Sequence, residues 1–338
     1  MKPFKQYFRG QLWLGVLSLC VVLLISASYS VQASYRNQKL VREFVEEIVL
    51  EEGFDRSELL ELFGKAEKKQ SIIDAMSRPA EKTKSWYQYR KIFVTTQRAD
   101  QGVDFYNKHL ETLDRAEEQY GVPKEIIVSI MGVETRYGSN KGNFRVIDAL
   151  STLAFNYPKR SSFFRKELKH FLILAKEQQF NPEQLLGSYA GAMGFGQFMP
   201  SSYRAYAVDF DGDGKVDIWN NPVDAIGSVA NYFKRHGWSY GSPVTGHARV
   251  EKDYRKAWVN DGLKPKRTLT EFEQGKIYPV EKFDMASKAT AMRFEGQRGT
   301  EYWLGLNNFY VITRYNHSAM YAMSVYQLAQ EIASRVND

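Results

Sequence analysis

The 338-residue sequence holds a single cysteine, Cys20. No disulfide can therefore close within the chain. It also lacks an arginine-rich run, zinc-ligand spacing and a helix-turn-helix signal, so the usual marks of a nucleic-acid binder are missing. No Gly-Lys-Ser/Thr follows a strand-like run, which argues against a phosphate-binding loop. Internal repeats and low-complexity segments are absent too, so neither a solenoid nor a disordered tail is expected.

Apolar residues make up 43% of the chain, enough for a sizeable core in one large domain or two to three smaller ones. Aromatics reach 14%, with 21 Tyr and 6 Trp; their faces suit sugar rings and cores equally. The net charge of +7 fits an acidic polymer, either nucleic acid or an anionic cell-wall glycan. Residues 1–33 read as a secretory signal peptide or an N-terminal anchor. Lys2, Lys5 and Arg9 precede an apolar run from Leu12 to Ile25, and Val31 and Ala33 are small residues at a cleavage site. The apolar run is short for a spanning helix. Leu17-Ser18-Leu19-Cys20 approaches a lipoprotein box, although Leu19 is bulky where a small residue belongs.

The centre of the pattern is Pro123 to Asn140. Pro123 suits a helix start and Gly138 a helix end. At helical spacing Ile127, Ile130, Met131 and Glu134 share one face. Glu134 is then a carboxylate on an apolar face near a negative dipole end. Both conditions disfavour ionisation, as a general acid requires. The competing expectation is a structural glutamate with an arginine partner or access to solvent.

Helices are expected over 34–64, 65–80, 103–120, 161–179, 222–237 and 318–336. Asp148 is a plausible N-cap, and Asn181-Pro182-Glu183 reads as the opening of another helix. Trp86, Tyr87, Tyr89 and Phe93 form either a sugar-facing edge or core. Residues 238–300 suggest a loop-rich α+β insertion with strands near 276–280 and 290–294. Phe309 to Tyr315 has high β-propensity. Gly191, Gly194 and Gly196 surround Gln197 in an apolar stretch, which suits close backbone approach to a ligand or a tight interhelix turn. Asp209, Asp211 and Asp213 stand at positions 1, 3 and 5 of a calcium-loop pattern, with Gly214 at 6, the Lys215 carbonyl at 7 and Asp217 at 9. Position 12 is Asn220 rather than Glu; Asp224 is the nearby carboxylate that can replace it. The alternative is a solvated acidic turn.

Several motifs occur in order: GVETRYGSNKG (132–142), FNYPKRS (155–161), GSYAGAMGFGQFMPSSY (187–203), DFDGDGKVDIW (209–219), NPVDAIGSVANYF (221–233) and NFYVITRYNHS (308–318). Together they resemble the membrane-bound lytic murein transglycosylase B family from about residue 40 to the C-terminus. The resemblance implies a mainly α, overall α+β fold. It would comprise an N-terminal helical domain (34–120) and a lysozyme-like catalytic domain (121–338). Residues 200–300 would contain a small core domain with an EF-hand-like calcium loop and the loop-rich insertion.

The implied activity is cleavage of the MurNAc–GlcNAc bond of peptidoglycan with a 1,6-anhydromuramoyl product. The alternatives are a hydrolytic muramidase and a non-catalytic peptidoglycan-binding scaffold. By the same resemblance Glu134 is the sole acid/base, and Ser188, Gln197, Tyr232 and Tyr310 lie near the sugars. Lys159 and Arg160 lie near a peptide or lactyl carboxylate. Asp209, Asp211, Asp213, Lys215 and Asp224 hold a structural calcium, with no organic cofactor. Expected partners are peptidoglycan glycan strands and envelope protein complexes, not nucleic acid. Membrane contact is expected only through the N-terminus, in a periplasmic location.

Overall fold

The computed structural model describes residues 35–77 and 84–337. The signal or anchor segment and Cys20 lie outside the described residues. Among the described residues the chain is mainly helical, with a two-stranded and a five-stranded sheet. It opens with α1 (Lys39–Glu52), α2 (Arg56–Lys65) and α3 (Gln70–Ser77). Val41, Phe44, Val45 and Ile48 give α1 a buried stripe, and Gly53 in the left-handed region ends it. The Asp55 side chain accepts from the Glu58 N–H to cap α2.

Next come α4 (Trp86–Phe93), α5 (Thr96–Lys108) and α6 (Leu110–Tyr120). The sequence pattern suggests one helix over 103–120. The structure instead starts α5 at the Thr95 cap and breaks the run at His109. Trp86 and Tyr89 are buried, so the aromatic stretch serves mostly as core.

The central helix is α7 (Lys124–Thr135), buried almost all round from Ile126 to Val133. Its core side chains, such as Ile127 and Met131, each contribute on the order of 1.5–3 kcal/mol through burial. The two-residue strand β1 (Phe144–Arg145) leads into α8 (Val146–Asn156). Asp148 does not cap this helix. It lies buried in the first turn, where it accepts from Arg145 Nε at 2.8 Å and from the Glu67 N–H at 2.8 Å. After a 3-10 turn at Pro158–Arg160 comes α9 (Ser161–Glu177).

Asn181-Pro182-Glu183 forms a turn rather than a helix, and the chain passes into β2 (Leu186–Gly187), which pairs with β1. Then follow α10 (Pro200–Tyr206) and α11 (Pro222–Arg235).

Residues 245–305 fold around a five-stranded antiparallel sheet of β3 (Thr245–Val250), β4 (Arg267–Thr268), β5 (Ile277–Pro279), β6 (Lys288–Gly296) and β7 (Gly299–Gly305). Its strand order is β4-β6-β7-β3-β5. With α12 (Leu269–Gln274) it encloses a small core of Leu269, Phe272, Ile277, Ala289, Ala291 and Leu304. The chain ends with α13 (Asn307–Tyr315) and α14 (Ala319–Val336). Despite its β-prone composition, 309–315 is helical because Phe309, Val311 and Ile312 are buried on α13. The larger core runs from Tyr35 to Ile332 and joins the first helices to the last. Among the described residues no helix is long and apolar enough to cross a membrane.

Candidate active site

Helix α7 delivers Glu134 at its penultimate position, partly exposed beside fully buried neighbours. The helix stops two residues later, at Arg136 (φ 54°) and Tyr137 (φ 58°), earlier than the glycine signal suggests. Two successive non-glycine residues in the left-handed region store strain, about 1–2 kcal/mol per residue. Gly138 then turns at φ 86°, and a Cβ there would lie 2.1 Å from the Phe195 ring. The turn after Glu134 is therefore pressed onto the glycine-rich stretch.

Two hydrogen bonds fix that contact. Thr135 Oγ1 donates to the Phe195 carbonyl at 2.9 Å, and Phe195 N–H donates to the Ile218 carbonyl at 3.0 Å. Gly194, at φ 69°, permits the approach, since a Cβ there would meet Ile218 O at 2.4 Å.

Tyr321, at the start of α14, donates through its hydroxyl to Glu134 Oε1 at 2.5 Å. Tyr315 donates to the Gly196 carbonyl at 2.6 Å. Burial pushes both phenols well above their ordinary range, and the Glu134 charge adds to it, so both stay protonated donors. Sequence reasoning missed Tyr315 and Tyr321. The only local signal was their place in and just beyond the 308–318 motif.

Gln197 sits at φ 51° and donates through Nε2 to the carbonyls of Lys141 (3.2 Å) and Gly194 (3.0 Å). Ser188 closes a tight turn, its Oγ accepting from the Ala192 N–H at 3.0 Å. Tyr232 is buried and donates to the Arg314 carbonyl at 2.6 Å, with its ring centre 4.7 Å from that of Tyr315 in an edge-on arrangement. Tyr310 instead lines a hollow with Ser242, Lys264 and Asn307. Lys159 and Arg160 are exposed in the 3-10 turn, the Arg160 guanidinium 4.2 Å above the Phe163 ring.

Carboxylate oxygens of Asp209, Asp211 and Asp213 lie within 4.8 Å of one another around Gly212 (φ 78°) and Gly214 (φ 89°). Asp209 accepts from the N–H groups of Gly212, Asp213 and Gly214, which draws the backbone into a tight ring. Lys215 donates its N–H to Asp213, leaving its carbonyl as the available oxygen. Asp224 is wholly buried and accepts from the Phe210 and Asp217 N–H groups, each at 2.8 Å. Burial pushes its carboxyl up, those two donors pull it back, and Asp211 and Asp209 add to the rise. A cation would offset that crowding of charge, and hard oxygens clustered on a glycine turn suit calcium. Asp217 accepts from Trp219 and Asn220, closing the following turn.

A helical fold around one carboxylate at a buried helix end, held by a phenol beside a glycine-rich wall, defines a lysozyme-like enzyme. The chain belongs to the SLT transglycosylase family: the transglycosylase SLT domain matches residues 36–330. Membrane-bound lytic murein transglycosylase B of Escherichia coli (strain K12) is 44% identical over 308 residues, covering 88% of this chain and 84% of the relative. The crystal structure of soluble lytic transglycosylase SltB1 from Pseudomonas aeruginosa is 57% identical. It has a TM-score of 0.85 and covers 88% of this chain and 100% of the other. The Escherichia coli lytic transglycosylase Slt35 in complex with calcium is 44% identical with a TM-score of 0.82, covering 89% and 95%.

Proposed function

We propose that this chain is a lytic transglycosylase that cleaves the MurNAc–GlcNAc β-1,4 bond of peptidoglycan for wall remodelling or recycling. The observation that carries the mechanism is Glu134 at the end of α7 with the Tyr321 hydroxyl on Oε1. A phenol is held against this acid, and in this reading the one carboxylate serves twice. Glu134 gives its proton to the glycosidic oxygen as the bond to C1 breaks. The resulting carboxylate then takes the proton from the muramoyl 6-hydroxyl as that oxygen closes on C1. The product carries a 1,6-anhydro ring, and no water is consumed. A hydrolase of the two-carboxylate kind would instead need a second acid that holds water.

Ser188, Gln197, Tyr232 and Tyr310 are assigned to the sugars, and Lys159 and Arg160 to a peptide or lactyl carboxylate. A lysine at 159 offers charge without the planar fork. Asp209, Asp211, Asp213, the Lys215 carbonyl and Asp224 would hold calcium, which would brace the loop against its own charge. The protein acts in the periplasm, soluble or held by its N-terminus, where envelope protein complexes are its further partners.

The test is digestion of purified peptidoglycan followed by mass spectrometry of the muropeptides. Products one water lighter than lysozyme products are expected. Reducing-end muramic acid would establish hydrolysis instead, and no product from well-folded protein would leave a binding scaffold. Glu134→Gln should retain glycan binding and lose cleavage.

A further inference from the structure

Lys141 stands where three parts of the molecule meet. Its Nζ donates to the Trp219 carbonyl at 2.5 Å and lies 4.6 Å from the centre of the Phe195 ring. Its own carbonyl accepts from Gln197 Nε2 at 3.2 Å. Trp219 ends the acidic loop and is itself anchored, with Nε1 donating to the Leu186 carbonyl at 2.9 Å. Phe195 reaches the catalytic helix through Thr135, the neighbour of Glu134. The acidic loop is thus joined to the glycan-facing stretch by the Phe195–Ile218 bond and the Trp219–Leu186 bond, with Lys141 as the one side chain that touches both Trp219 and Phe195 in these contacts.

We propose that Lys141 is a positioning residue that couples the state of the acidic loop to the placement of Gln197 and Glu134. This inference rests on the calcium and glycan readings above and deepens them. A cation drawn in by Asp209, Asp211 and Asp213 fixes the loop up to Trp219. Lys141 then carries that fixed carbonyl position to the Phe195 ring and to the Gln197 amide. The ammonium has a polar acceptor on one side and an aromatic face on the other, so it resists displacement in both directions. Coupling of this kind is reciprocal: calcium tightens glycan binding, and glycan tightens calcium binding by the same factor.

The experiment uses the Glu134→Gln protein, so that a muropeptide tetrasaccharide binds without being cut. Its affinity is measured by calorimetry in calcium chloride and in chelator, and the calcium affinity is measured with and without the tetrasaccharide. Both should change by the same factor, about five-fold or more. Adding Lys141→Met should bring that factor close to one while calcium still raises the melting temperature. Adding Lys141→Arg, which keeps a cationic donor, should restore most of it.

Undiminished coupling in the Lys141→Met protein overturns the proposal. So does independent binding of the two ligands in the parent, a measurement that needs no substitution at Lys141. A parent that binds glycan but shows no calcium binding or thermal shift overturns the calcium reading and this inference together. A parent that binds calcium but no glycan overturns the glycan reading and this inference.

Discussion

Tyr321 and Glu134 stand 187 residues apart in the sequence and 2.5 Å apart at their oxygens. The phenol holds one carboxylate oxygen in place. Tyr321→Phe keeps the ring and removes the donor. A hydrogen bond to a charged group is worth about 1.5–3 kcal/mol, so kcat should fall roughly 10- to 100-fold. The melting temperature should move little. Rates of muropeptide release beside a thermal melt decide it, and a kcat equal to the parent's would remove Tyr321 from the mechanism.

Acid should weaken the fold through its half-buried histidines. Burial lowers the His236 pKa, the Tyr232 carbonyl opposes this, and Arg314 adds to the fall. His109 and His170 are lowered mainly by burial as well. Between the depressed folded value and the ordinary value near 6.5, the unfolded chain binds more protons than the folded one. Their contribution is therefore complete above that ordinary value and is lost as pH falls through the depressed one. The melting temperature should drop from about pH 7 to about pH 5, and His236→Gln should shallow the slope. An unchanged slope would clear His236 of any part in it.

Calcium should stabilise the protein by mass action. At a hundredfold excess over its dissociation constant the gain is about 2.7 kcal/mol, or roughly 5 °C in Tm for a chain of this size. Chelator should reverse the shift, and Asp209→Asn should abolish most of it. Equal melting temperatures in calcium and chelator would count against the loop as a metal site.

Asp148 is 1% exposed and binds both Arg145 and the Glu67 N–H, tying the segment after α2 to α8. Asp148→Ala removes the buried carboxylate under Arg145, which keeps only the Lys65 carbonyl at 3.0 Å and Glu67 at 3.7 Å, and leaves the Glu67 N–H without its acceptor. The expected loss is about 3 kcal/mol, near the low end for a broken buried pair because Arg145 is partly exposed. Urea denaturation measures it; a loss below about 0.5 kcal/mol, the range of ordinary surface substitutions, would show the pair to be dispensable.

Much of the fold was legible in local pattern. The apolar face of α9 and the glycine after α6 follow from spacing and turn chemistry alone. The acidic loop showed itself because its candidate ligands are close in sequence. Asp224 was harder, since its place under the loop depends on how α11 packs. Residues 309–315 misled because side-chain preference was weaker than burial on both sides of a helix. The five-stranded sheet was only half visible, because β3 and β7 pair across more than fifty residues. Glu134 stood out as a carboxylate on an apolar helix, but nothing near it announced Tyr321. Long-range hydroxyl partners leave no periodic trace.

The position of Tyr321 also sets an order of events during synthesis. Glu134 lies on α7, and its donor lies on α14. A nascent chain that has already released α7 still holds Glu134 without the hydroxyl that orients it. On the reading of Glu134 as the acid, assembly of its site waits for α14 to emerge, and a chain truncated before α14 lacks the Tyr321 hydroxyl. On that reading competence comes only after α14 has been made, a delay built into an enzyme that acts on peptidoglycan.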